Sequence, residues 1–149
     1  MSKGKQRDAD LILKLYDLRR EEMMRKARNW MLTFTPDSMQ DILDAVVGEN
    51  AYFRQVASYW EMAAALVNHG AIDEDMFNDA NGEHIFVYAK FHPFINEMRA
   101  QFGPQTFQHL EKLVMRLPDA EQRMATMRER AHRVAALRAE KQKAQEATA

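Results

Sequence analysis

The chain has 149 residues, of which 46% are apolar and 29% charged, with five glycines, four prolines, no cysteine and a net charge of −1. This is a folding composition, not a disordered one, and its scarcity of turn formers speaks against an all-β domain. Without cysteine there is no disulfide framework, thiolate zinc site or Cys nucleophile.

The first predicted element is a helix capped by Asp8 or Asp10 and running to about Phe34, preceded by a polar tail over residues 1–8. Ile12, Tyr16, Met23, Ala27, Trp30, Met31 and Phe34 recur on one face, and Leu11, Leu15 and Leu18 widen its first half. Thr35-Pro36-Asp37 reads as a break and restart, with Thr35 as cap, Pro36 at the first helical position and Asp37 at the positive end of the dipole. The following helix, to about Val47, shows Met39, Ile42, Leu43, Val46 and Val47 on one face, and Gly48 ends it.

The central helix, Asn50 to His69 with Asn50 as cap, is the most informative stretch. From Val56 to Val67 its only polar positions are Ser58 and Glu61, apart from the tips of Tyr59 and Trp60. A helix apolar on nearly every side needs cover on every side, so it belongs in the middle of a bundle. Beyond Gly70 comes a short acidic helix at residues 73–75 and onward, anchored by Met76 and Phe77. After the Asn81-Gly82 turn, a second strongly apolar helix spans Glu83–Phe102 and pairs with the central one as a core hairpin. Pro93 lies inside it and should break it near Phe91–His92. Phe107, Leu110, Leu113, Val114 and Leu117 mark one more amphipathic helix, ended by Pro118.

From Asp119 the chain reads as one charged helix with a thin stripe (Met124, Met127, Ala131, Val134, Leu137) and a frayed end over residues 141–149. The fold expected is therefore all-α: a single-domain bundle of five to seven helices with two long terminal helices, its core at 9–118 and its charged C-terminal helix at 119–149. The longest unbroken apolar run, Met62 to Val67, is six residues, far short of the roughly 20 that span a bilayer. The N-terminal stretch, interrupted by Lys14 and Asp17, does not read as a signal peptide, so a cytoplasmic location is expected.

Charge is uneven. Residues 1–30 hold nine Lys/Arg against five Asp/Glu, residues 31–118 five against twelve, and residues 119–149 seven against five. Basic ends flanking an acidic body suit terminal helices packed on that body; they also suit nucleic acid or an anionic surface.

Among candidate site residues, Glu61 comes first, since a carboxylate within an apolar helix must find a partner or stay protonated. Partners are sought on the 83–102 helix (His84, Lys90, His92, Arg99) and, locally, at Arg54. His84, Tyr88 and His92 are spaced to share one helix face, and beside Glu61 they would form a small-ligand, proton-shuttling or metal-binding cluster. Glu61, His84, Tyr88, His92 and Arg99 are thus the ligand-binding candidates. No catalytic set, resident metal or cofactor is expected. Glu129-x-x-His132 has the spacing of di-iron bundles, but a single copy on a polar helix reads as surface. The 11 methionines read as core filler.

Three stretches carry a likeness: Leu15-Tyr16-Asp17-Leu18-Arg19-Arg20, Tyr59-Trp60-Glu61-Met62-Ala63-Ala64, and His92-Pro93-Phe94-Ile95-Asn96-Glu97-Met98-Arg99. Over residues 11–117 the chain resembles a family of small uncharacterised bacterial all-helical proteins bearing a domain of unknown function. The resemblance implies a cytoplasmic helical bundle and supplies no activity. The functional expectation is a non-catalytic interaction or scaffolding protein, binding a protein partner or itself through the terminal helices. The alternatives are nucleic-acid or anionic-surface binding, and a ligand or metal site around Glu61, His84 and His92.

Overall fold

The computed structural model describes residues 3–48 and 51–149. Helices α1 (Lys3–Leu18), α2 (Glu22–Thr33), α3 (Met39–Val47), α4 (Tyr52–Asn68), α5 (Glu74–Ala80), α6 (Glu83–Phe91), α7 (Ile95–Phe102), α8 (Gln108–Met115) and α9 (Ala120–Ala147) follow one another, with a 3-10 turn at His92–Phe94 joining α6 to α7. Helix covers 81% of the described residues, with no strand among them. Counting α6 and α7 as one kinked helix gives eight, above the five to seven expected. Asn50, the expected cap of α4, lies outside the described residues.

The long N-terminal helix is two. Residues 3–8 are already helical, and the chain breaks at Arg19–Glu21 without glycine or proline. Glu21 causes the restart: its carboxylate accepts from the amides of Met23 (3.0 Å) and Met24 (2.9 Å), serving as a cap that the first turn of α2 would otherwise lack. Those amides hold the Glu21 carboxyl below its ordinary range. The turn brings Arg19 and Arg28 together on Glu83 of α6. Arg28 grips that carboxylate through Nε (3.0 Å) and Nη2 (2.7 Å), and Arg19 Nη1 stands at 3.7 Å. Further on, Ser38 rather than Thr35 caps α3, accepting from the Asp41 amide at 3.2 Å.

Pro93 breaks its helix where expected. It cannot donate to the carbonyl four residues back, Ala89, and Arg128 of α9 supplies the missing bond at 2.9 Å. At the C-terminus α9 runs to Ala147, through the stretch expected to fray.

One cluster of buried apolar side chains extends from Ile12 in α1 to Met124 in α9. Helix α4 packs most closely on α2 and α8, and α6 on α9 and α8. The expected α4–α6 hairpin is replaced by a looser contact through large rings, Trp60 with His84 (5.6 Å between centroids) and Phe53 with Phe91 (5.3 Å). Fully buried alanines (Ala27 on α2; Ala63 and Ala64 on α4) suit close backbone approach, whereas indole and phenyl rings hold helices apart. Nor is α4 covered all round: Met62 is 44% exposed.

Candidate functional site

Glu61 is half-buried, and its partner is not a side chain of residues 83–102. Its two oxygens accept from the backbone amides of His109 and Leu110, each at 2.8 Å. These are orphan donors of the first turn of α8. Phe107, at the cap position, has a left-handed backbone (φ 54°) and no side-chain oxygen to offer, so α4 provides the cap from across the bundle. A carboxylate on two amides at the positive end of a helix dipole is fully engaged without a counter-cation.

Lys90 does the converse. It is 4% exposed, and its ammonium donates to the carbonyls of Met31 (2.5 Å) and Phe34 (2.6 Å), closing the C-terminal end of α2. Burial, with Arg138 of α9 adding a like charge, pushes Lys90 down to about 8.

His84 is fully buried between the rings of Phe77 (4.8 Å) and Trp60. Nε2 lies 2.9 Å from Asn78 Oδ1, so it carries the hydrogen, and Nδ1 has no partner among the described residues. Burial pushes its pKa down to about 4, so this is a neutral core histidine. It meets neither Glu61 nor His92, and the expected His84–Tyr88–His92–Glu61 cluster does not form.

The remaining candidates do converge. Tyr88 is buried; its hydroxyl donates to Glu111 Oε2 (2.9 Å) and lies 3.0 Å from His92 Nδ1. Burial, and next the Glu111 carboxylate, push this hydroxyl far above its ordinary range. Arg99 pairs with Glu111 at 3.3 Å and donates through Nε to the Thr106 carbonyl at 3.1 Å. His92 Nε2 lies 3.0 Å from Glu121 of α9. The chain Arg99–Glu111–Tyr88–His92–Glu121 therefore links α7, α8, α6, the 3-10 turn and α9. Its Tyr88–His92 half was readable from i,i+4 spacing. Glu111 and Glu121 were not, since each meets Tyr88 or His92 from a different helix and no local spacing brings them together.

A cleft of about 770 Å³ lies beside Glu61, with Phe53, Ala57, Phe102 and Phe107 among its walls. Glu129-x-x-His132 holds no metal geometry, and among the described residues no group of three or more His, Asp or Glu could hold an ion.

A family model described as Domain of unknown function (DUF4760) matches residues 6–117. The chain belongs to this family. The DUF4760 region spans α1 to α8 and ends just before Pro118, so α9 lies beyond it while burying Ala120, Met124 and Ala131 against the rest. No curated protein matches the chain, and no solved structure does. No helix among the described residues is long and apolar enough to cross a membrane.

Proposed function

We propose that this DUF4760 protein is a non-catalytic helical interaction protein that engages a protein partner, or a second copy of itself, through its terminal helices. The observation behind this reading is where apolar surface is left uncovered. Leu13 (64% exposed), Tyr16 and Leu18 lie on α1, and Val134 and Leu137 (59%) lie on α9. Helices with an apolar stripe and no intramolecular cover suit a partner helix. The polar interior groups support the same reading, because Glu61 and Lys90 are engaged by helix ends and His84 by Asn78. The bacterial, cytoplasmic setting expected from the sequence goes with this proposal.

Light scattering during size-exclusion, over roughly micromolar to hundred-micromolar protein, tests self-association. Cross-linking in cell extract, comparing wild type with Val134→Glu/Leu137→Glu and Leu13→Glu/Leu18→Glu, tests a heterologous partner. Association lost in one of the double variants supports the reading; a strict monomer with no variant-sensitive partner overturns it. Nucleic-acid or anionic-surface binding stands second, supported by the exposed Arg133, Arg138, Lys141 and Lys143 of α9.

A further inference from the structure

His132 sits where the packed half of α9 gives way to its exposed half. Before it, Ala120, Met124 and Ala131 are buried and Arg128 donates to Ala89; after it, Val134 and Leu137 are exposed. No hydrogen bond or ion pair among the described residues ties residues 133–147 to α2, α3 or α6. Beneath this half lies an open cleft of about 480 Å³ bordered by Leu32, Thr33 and Phe86.

The His132 ring is bonded at both nitrogens. Nδ1 lies 2.8 Å from the Arg128 carbonyl and Nε2 lies 3.0 Å from Asp37 Oδ1 in the α2–α3 connection. A carbonyl and a carboxylate only accept, so both ring nitrogens must donate, and only the imidazolium can do that. A neutral ring forfeits one of the two bonds. His92 also ties the body to α9, at Glu121, but there the helix is already held by the buried Ala120 and Met124.

We infer that the His132–Asp37 pair is a pH-sensitive latch between α9 and the body, and that its release as pH rises frees the distal half of α9. The groups facing His132 are the Arg128 carbonyl on its own helix, Asp37 from the connection and Lys90 from α6. The first two raise its pKa, while partial burial and then Lys90 oppose them. The sign follows: the latch is closed below the ordinary histidine value and is lost as pH rises through the raised one. The pair is exposed, so the effect is modest, about a two- to fivefold change in the open population. The latch does not require that Val134 or Leu137 have a partner.

Because the chain has no cysteine, Lys26→Cys and Gln142→Cys give one spin label on α2 and one on distal α9. Pulsed dipolar spectroscopy should show a narrower distance distribution near pH 6 than near pH 8, and Asp37→Ala, which offers His132 no side-chain partner, should leave it broad at both. NMR titration of the His132 ring should give a midpoint above the ordinary histidine value. A distribution in the labelled parent that ignores pH, an Asp37→Ala protein that keeps the pH dependence, or a His132 midpoint at or below the ordinary value would each overturn the latch.

Discussion

Glu61 and His84 show how residue-scale chemistry depends on what lies opposite. Because Glu61 caps a helix and does not face a buried cation, its removal leaves no uncompensated charge. Glu61→Ala should cost about 1–3 kcal/mol by chemical denaturation, within the range for lost caps and charged hydrogen bonds. Glu61→Gln should fall between the two, since one amide oxygen can serve only part of the pair of amides. A loss of 4 kcal/mol or more, as expected for a broken buried ion pair, would contradict the capping role.

His84 carries an acid-sensitivity prediction. Its folded pKa of about 4 lies below the ordinary 6.5, so the unfolded chain binds the extra proton between those values. The stability it contributes is present above about pH 6.5 and is lost as pH falls toward 4, up to roughly 3 kcal/mol. Urea midpoints over that range should fall more steeply for wild type than for His84→Gln; equal slopes would reject this.

At the scale of elements, helix ends explain more of the assembly than surface charge pairs do. Glu61 caps α8 from α4, Lys90 closes α2 from α6, and Arg128 answers the carbonyl that Pro93 leaves on α6. Each tie joins an orphan backbone group to a distant helix, which makes the bundle cooperative. The C-terminal helix belongs to this scheme despite lying beyond the family match. Met124 is fully buried, so Met124→Ala should destabilise by about 2–4 kcal/mol. A loss under about 0.5 kcal/mol would mean that α9 is an appendage. Gly103, at φ +115° and with a Gln105 side-chain atom 2.6 Å from where a Cβ would sit, is the other sensitive point. Gly103→Ala should cost about 1–2 kcal/mol, read as a shift in thermal midpoint.

On the scale of the whole molecule, charge asymmetry divides the remaining functional readings. If the basic helix ends bind nucleic acid or anionic lipid, affinity must fall steeply with added salt. If they bind a protein through Val134 and Leu137, association should survive salt and be lost on introducing glutamate there. Titrating salt against each kind of binding separates the two readings.

The all-helical class, the Pro93 break and the Tyr88–His92 pair were legible in the sequence because each depends on spacing within one helix. Apolar periodicity, a missing amide hydrogen and an i,i+4 neighbour are local properties. The break at Arg19–Glu21 escaped because Glu21 is an uncommon capping residue and no glycine or proline marks the turn. Tertiary structure decided the rest. It showed that Glu61 meets the start of α8, that His84 is walled off from His92, and that Asp37 and His132 meet across 95 positions of chain. A side chain's chemistry is set by the group it faces, and in a bundle that group comes from another helix whose rotation and height no local pattern specifies.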